Sequence, residues 1–463
     1  MKNSYDLVII GGGAAGLLLL ANIFEQATSP ISVALINAGY PLGRGIAYST
    51  DNINHLLNVR VSRMSAFTND VNHFTKWILS QPHYREYHHE GLEERFVPRK
   101  MYGEYLDDVY QNLLKSSNKY VQFEVMNEEA ICLDKMGDDF KIELKNGNVI
   151  CSKKVTLCTG NQPPISLPGL NAIKNSEKVY INPWLSEAVE NIDLEQPIFI
   201  VGSGLTMVDT VISLIDQGFK NKIFVVSKHG AIPMAHPIVR VSVPHPDNAP
   251  PADLHKIYSQ LKSRIRSAID HTEWHEPVLE AVRPFTQKIW QELSIEHKNR
   301  FLRHINHRWA KLRHRLPHEV HSLIQSLVDE GQIELYAGKL IDVKENQNGL
   351  TIQFFDKEKE SNVQLNAQRI INCIGPEGDY GKVENPLLKH MLNQGLISKD
   401  PLSLGFNATG DGNIIDQEGQ EVANLFTIGS GLRGILWEST AIPEIRVQAH
   451  QMATKLLSSP QFI

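Results

Sequence analysis

Apolar positions along the chain fall twice into the same pattern, a short unbroken run, a glycine turn and a helix-spaced face. Leu7-Val8-Ile9-Ile10 enters Gly-Gly-Gly-Ala-Ala-Gly at 11–16, Leu17 to Leu20 then supply the apolar face of a helix, and Ile31 to Ile36 reads as the next strand. Far downstream, Ile198-Phe199-Ile200-Val201 enters Gly-Ser-Gly-Leu-Thr-Met-Val-Asp at 202–209, with Lys222 to Val226 as the following strand. Short, fully apolar strands belong to parallel sheets covered on both faces, so each pattern predicts a βαβ unit.

The spacing of the first turn gives it a use. Gly11 permits the tight bend, Gly13 lets backbone approach a pyrophosphate, and Gly16 lets the helix sit close to the strand. The helix start then offers unpaired N–H groups to phosphate oxygens. Asn37 stands after the second strand, where an acidic residue ordinarily holds the ribose hydroxyls, so ribose recognition is expected to be weaker or shared. In the second unit Gly202 and Gly204 keep the turn and approach positions, while Met207 replaces the third glycine. A carboxylate beside phosphate is repelled, so Asp209 is assigned to capping or to a domain interface. Ser227-Lys228-His229 follows the next strand, and its hydroxyl, ammonium and imidazole favour a ribose 2′-phosphate over free hydroxyls; a solvated turn is the plain alternative.

Two dinucleotides in one chain imply electron transfer between them. The predicted fold is α/β, with two Rossmann-like dinucleotide-binding domains, the first split in sequence, and a mostly helical insertion. The first part spans 1–165 and ends in a crossover at Pro163, Pro164 and Pro168. The second domain spans 195–335, with an insertion opened by prolines at 233, 237, 245, 250 and 251, and 336–463 is expected to return to the first domain. Glycines and an aromatic ring around Arg44 and Tyr48, and the amide of Asn58, suit contact with a flavin. The closing block from Gly429 to Thr440 is a strand feeding glycine turns and a helix near Glu438, a geometry that aims N–H groups at the electron-rich end of a reduced flavin. Arg433 is expected to steady that charge or hold substrate, Trp437 to pack on cofactor or core, and Glu438 to cap the helix or pair with Arg446.

Composition narrows the field. The chain has 463 residues, 42% of them apolar and 21% charged, enough for two or three ordered domains, and a net charge of -6 provides no basic field for nucleic acid. Leu7 to Phe24 is nearly free of polar groups, but three consecutive glycines, 11 to 13, spoil a membrane or signal segment, so no membrane partner is expected. The cysteines, Cys132, Cys151, Cys158 and Cys373, include no CxxC, which argues against a disulfide-reductase mechanism and fits a cytoplasmic setting. His83, His88 and His89 lack ligand spacing, and no metal is expected. The basic run Arg303, Arg308, Lys311, Arg313 and Arg315, with Trp309, reads as the charged face of a packed helix, with a substrate-carboxylate role as the alternative. No side chain is singled out as catalytic, and nothing in the pattern specifies an oligomeric state.

Taken together, GGGAAG, GRGIAYS, HLLNV, GSGLTMVD, SKHGAIPMAH, WAKLRHRLP and LWESTAIPEIRVQAH resemble the FAD/NAD(P)-binding family that includes the nitrosuccinate-forming L-aspartate N-monooxygenases and the FAD-dependent urate hydroxylases. The resemblance implies FAD at Gly11, Gly13, Gly16 and the closing turn, and NADPH at Gly202 and Gly204. It further implies that NADPH reduces the flavin, which then reacts with oxygen to oxygenate a small polar metabolite. Nitrogen of an amino acid or amine is the favoured acceptor, with a urate-like ring, a dehydrogenase and a redox sensor as alternatives.

Overall fold

In the computed structural model, which describes residues 4–116, 118–164, 167–170, 173–237, 253, 256, 259, 263, 283–347 and 349–458, the two βαβ patterns are the centres of two different sheets. The first begins with β1 (Ser4–Ile10), α1 (Ala14–Gln26) and β2 (Ile31–Asn37), continues through α2 (His73–Ser80), α3 (Arg99–Lys115), β3 (Val121–Asn127), β4 (Ala130–Met136) and β5 (Asp139–Leu144), and reaches β6 (Val149–Leu157). The second holds β7 (Val179–Tyr180), β8 (Ile198–Val201), α4 (Leu205–Asp216) and β9 (Ile223–Ser227). Four helices follow, α5 (Thr286–Glu292), α6 (Ile295–His304), α7 (Asn306–Arg313) and α8 (His318–Asp329), before β10 (Ile333–Asn346), β11 (Gly349–Asp356), β12 (Ser361–Ala367) and β13 (Arg369–Asn372). The chain closes with α9 (Pro386–Asn393), β14 (Asn413–Ile415), β15 (Glu421–Thr427), α10 (Arg433–Leu436) and α11 (Ile442–Leu457).

Strand order in the first sheet is β14-β15-β6-β1-β2-β3, with β5 and β4 attached beside β6, and in the second β12-β11-β10-β9-β8-β13-β7. β1 is parallel to β2 and β6, and β8 is parallel to β9 and β13. Leu17 to Leu20 are fully buried, and α1 packs extensively on α11. The turn glycines do the same job in both sheets. At Gly11, φ is +114° and an added Cβ would lie 2.1 Å from the Cys158 carbonyl oxygen; at Gly202, φ is +102° and it would lie 2.4 Å from that of Cys373. Only glycine lets these turns pass the neighbouring strand end.

The return to the first sheet comes later than residue 336. β10 extends the second sheet through Ile333–Ala337 beside β9, then pairs with β11 from Gly338 to Asn346, so that the strands up to Asn372 belong to the second sheet. A meander of short strands carries no local mark of which sheet it lengthens, and the chain re-enters the first sheet at β14. The closing helix also begins later than Glu438, at Ile442 with Pro443 in its first turn, after the separate short α10. Of the prolines expected to open the insertion, 245, 250 and 251 lie outside the described residues.

The two units meet along α4. Asp209 Oδ2 accepts from Arg99 Nη1 at 2.7 Å, and His55 Nε2 lies 3.0 Å from both the Asp209 carbonyl oxygen and Ser213 Oγ. Asp209 thus lies within α4 at a domain interface, one of the two roles its position suggested. His55 is 9% exposed, and burial lowers its pKa. On acidification the unfolded chain therefore takes up this proton first, at about pH 6.5, so the stability His55 contributes is present above that pH and is lost below it as the folded pKa is approached. His55→Gln is expected to lose less stability than the parent between pH 7.5 and 5.5, as read from urea midpoints; parallel losses would contradict this.

Candidate functional site

The first glycine turn and the closing block converge. β15 runs parallel to β6, and a Cβ at Gly429 would come 3.7 Å from Ala15 Cβ in the first turn of α1. Gly13 forms the N-cap of α1 with no side-chain hydrogen bond, and a Cβ there would meet only Gly45 Cα, at 3.7 Å. This leaves a cradle beside a helix N-terminus, suited to a pyrophosphate. A Cβ at Gly16 would be 2.0 Å from the Gly11 carbonyl oxygen, which holds that position to its helix-packing role.

The other contacts expected around this turn are more committed to the protein itself. Asn37 is buried and its Nδ2 donates to the Tyr40 carbonyl at 3.0 Å. Arg44 is not a free cation: Asp107 of α3 accepts from its Nε at 3.0 and 3.1 Å and also from Nη2. Tyr48 packs its ring on Tyr102, with 4.7 Å between centroids, and at Asn58 it is the backbone carbonyl, not the side-chain amide, that accepts from His236 Nε2 at 3.2 Å. Gly429 gives its N–H to Gln448 Oε1 at 2.7 Å, so it is not a donor toward a flavin.

A cavity of about 690 Å³ opens beside the second glycine turn. Ser203 and Gly204 form one wall, Ser227, Lys228 and His229 a second, and Asn306, His307, Lys311 and His314 a third; Arg433, Trp437 and Glu438 complete it. Of the residues expected from sequence, Gly204, Ser227, Lys228, Arg433 and Trp437 share this space. Gly11, Gly13, Gly16, Asn37, Arg44, Tyr48, Asn58, Gly202 and Gly429 are not part of its wall. His307 and His314 join this wall without having been expected there, although Lys311 between them belongs to the basic run.

The closing block is shaped by the insertion. Trp437 has φ +62° and ψ -67°, and Glu438 N donates to the Leu436 carbonyl at 2.7 Å, which makes a γ-turn of the strained hand centred on a tryptophan. Such a residue costs on the order of 1–3 kcal/mol and persists only where its surroundings enforce it. They do so here. Trp290 of α5 stacks on Trp437 at 4.7 Å and donates Nε1 to the Gly434 carbonyl, and Phe301 of α6 meets the Trp437 ring edge-on at 5.2 Å. Glu438 neither caps α11 nor pairs with Arg446. It accepts from Trp309 Nε1 at 3.2 Å and forms an ion pair with Arg313 Nη2 at 3.5 Å, while Arg446 reaches the Ser65 carbonyl.

Charged and titratable groups line the cavity on several sides. Arg433 lies over the Trp437 ring, 5.5 Å from its centroid, and has no hydrogen-bond or ion-pair partner among the described residues. Burial depresses its pKa and Glu438 opposes that. His314 is an exposed residue of the cavity wall, and desolvation by the protein around it lowers its pKa, aided by Arg313, Arg433 and Arg283 and opposed by Glu438. At the mouth, the His229 and His307 rings stack at 4.3 Å; desolvation lowers both pKa values, aided by His307, Lys228 and Lys357 at His229 and by Arg308 and Lys228 at His307. Lys228, His229, His307 and Lys311 have no acidic partner among the described residues, so the mouth is an uncompensated basic rim.

Residues 8–162 match the FAD-NAD(P)-binding family. That is the first unit, with the turn at Gly11. No curated protein matches the chain by sequence. Solved structures match it over nearly its whole length. Ornithine hydroxylase from Pseudomonas aeruginosa is 13% identical with a TM-score of 0.68, and an ornithine N-hydroxylase from Kutzneria sp. 744, carrying reduced FAD, NADP+ and L-ornithine, is 13% identical with a TM-score of 0.67. In both cases 98% of this chain and 99% of the other are covered. Bacillithiol disulfide reductase from Staphylococcus aureus, covered fully in both chains, is 14% identical with a TM-score of 0.57. The likeness establishes two Rossmann-like sheets with a helical insertion, a fold that serves more than one reaction. Among the described residues no helix is long and apolar enough to cross a membrane.

Proposed function

We propose that this chain is an FAD-dependent, NADPH-using monooxygenase that acts on a small amine or amino acid. The observation that carries the reading is the single cavity in which the second nucleotide turn, the closing block of the flavin unit and the insertion meet. The family matched by residues 8–162 and the structural likeness to ornithine hydroxylases support it. Bound together, FAD and NADPH would supply hydride transfer and oxygen activation.

The chain's own groups supply position and charge. The turn at Gly11–Gly16 and the N-terminus of α1 hold the FAD pyrophosphate, and the turn at Gly202–Gly204 and α4 hold that of NADPH. Ser227 and Lys228 take the 2′-phosphate at the basic rim. Ser227 Oγ already accepts from Ser203 Oγ at 2.9 Å and from Gly230 N at 3.0 Å, which fixes its orientation. Arg433 offers a planar fork to a carboxylate, and neutral His314 accepts the proton that an amine must lose before its nitrogen is oxygenated. Trp437 and its stacked neighbours exclude water from that end of the cavity. The finer reading, oxygenation of an α-amino nitrogen as in the aspartate N-monooxygenases, rests on Arg433 as the carboxylate anchor.

The test is a screen of aspartate, ornithine, lysine, simple amines and urate with purified holoenzyme. Substrate-stimulated NADPH consumption is expected, faster than with NADH, with a product carrying one atom from labelled oxygen gas. A dehydrogenated product without label would replace monooxygenation by dehydrogenation, and a labelled urate product would move the acceptor from nitrogen to a ring carbon.

A further inference from the structure

Asp209 is a charge in a helix where the nucleotide has no use for one, one turn after Gly204. Its surroundings give it another task. Asp209, Ser213 and Asp216 recur at intervals of four and three along α4, a spacing that puts them on one face, and all three bind the segment that follows the flavin-side loop of the first unit. Asn52 Nδ2 donates to Asp216 Oδ2 at 2.7 Å, and Asn54 Nδ2 reaches both carboxylate oxygens at 3.0 Å. His55 meets the Asp209 carbonyl and Ser213, while Thr50 Oγ1 lies 2.8 Å from its Nδ1. Arg99 ties the parts together. It donates Nη1 to Asp209, Nε to the Leu56 carbonyl at 3.2 Å and its backbone N–H to the His55 carbonyl at 2.8 Å.

The exposed asparagine contacts compete with water and contribute little by themselves. The Arg99–Asp209 pair is different, because both side chains are only 21% exposed and the pair is buttressed from the backbone on each side. The same segment is fastened to the second unit again at Asn58, through His236. One strip of the first unit is thus held at two points by the unit that carries the second nucleotide turn.

We infer that Asp209 is a positioning residue: through its carboxylate on Arg99, beside the contact of His55 with its backbone carbonyl, it fixes α4, and the nucleotide turn at its N-terminus, against the strip that carries Asn58. The inference rests on the assignment of the two turns to FAD and NADPH. Hydride transfer needs its reacting atoms within a few tenths of an ångström of their working separation, and a shift of about 1 Å reduces such rates about 100-fold. Loss of Asp209 should therefore slow flavin reduction at saturating NADPH while leaving each nucleotide bound.

The test compares the parent holoenzyme with Asp209→Asn, Asp209→Ala and the charge exchange Arg99→Asp with Asp209→Arg. Amide hydrogen exchange across residues 50–59 and 205–216 reads the interface independently of turnover. Anaerobic rapid mixing reads the limiting rate of flavin reduction, and the long-wavelength charge-transfer absorbance reads nicotinamide–flavin contact. In the single variants, exchange in both segments should rise, the limiting rate fall at least tenfold, and the charge-transfer band weaken, with FAD content retained and NADP+ affinity changed less than about threefold. The exchanged pair should recover part of the rate and of the protection. Unaltered exchange in Asp209→Asn would overturn the interface role, and raised exchange with an unaltered limiting rate would overturn positioning. A parent holoenzyme that neither nicotinamide reduces would refute the proposed function instead, while exchange would still decide the interface.

Discussion

Gly204→Val is expected to fold like the parent protein and to lose its response to NADPH. A Cβ built at Gly204 finds no protein atom within 4 Å, and the backbone there, with φ -84° and ψ -165°, is extended in a way valine readily adopts. As the N-cap of α4 it makes no side-chain hydrogen bond, so the change removes no capping group and should cost less than about 1 kcal/mol. What the new methyls enter is the cavity, at the point where a pyrophosphate would approach the helix. The dissociation constant for NADPH should rise about 100-fold, equivalent to about 2.7 kcal/mol, while the thermal midpoint moves by no more than about 2 °C. Gly202→Ala is the useful contrast, since its Cβ would collide with the Cys373 carbonyl and the whole protein should be destabilised. Titration of the Gly204 variant with NADPH decides the matter: parental affinity would remove this turn from the nucleotide site.

Arg433→Met is expected to move stability and activity in opposite directions. The guanidinium is enclosed, lies over Trp437 and lacks a hydrogen-bond partner among the described residues, so in the free protein it carries a desolvation cost without full compensation. Methionine keeps the apolar stem and discards the charge. The gain should be about 1–2 kcal/mol, reduced by loss of the contact with the indole, and should raise the thermal midpoint by a few degrees. Substrate-stimulated NADPH consumption should fall at least 100-fold, because the fork meant for an anion is gone. Arg433→Lys should restore only part of it, since an ammonium cannot offer two parallel donors. A stabilised variant with parental turnover would remove Arg433 from substrate binding.

Local pattern made the nucleotide turns readable. Gly11 and Gly202 each follow a four-residue apolar run and precede a helix face, and the strands and helices formed where that pattern placed them. Pairing across the chain left no such trace. Asp107 is a helix residue with nothing in its neighbourhood to announce that it would occupy Arg44, and Glu438 has nearer cations than Arg313, which wins through the docking of α7. The strained turn at Trp437 was invisible for the same reason: tryptophan has no preference for positive φ, and only the rings of Trp290 and Phe301, which reach it from another part of the chain, enforce it. The meander β10–β12 lengthens the second sheet and not, as the bounds read from sequence had it, the first, because alternation marks which face is buried and nothing of the neighbour.

The placement of β15 beside β6 sets a timetable for synthesis. Thr427 Oγ1 donates to the Leu157 carbonyl, 270 residues back along the chain, and α11 covers α1 from beyond it. At translation rates of roughly 5–20 residues per second, the apolar edge of β6 stands uncovered for about 14–54 s after it leaves the ribosome, and the outer face of α1 for longer still. The second sheet, by contrast, is complete once β13 has emerged. The order of assembly therefore runs against the order of the sequence: the nucleotide unit that starts later closes first, and the one that starts the chain waits for its last strand.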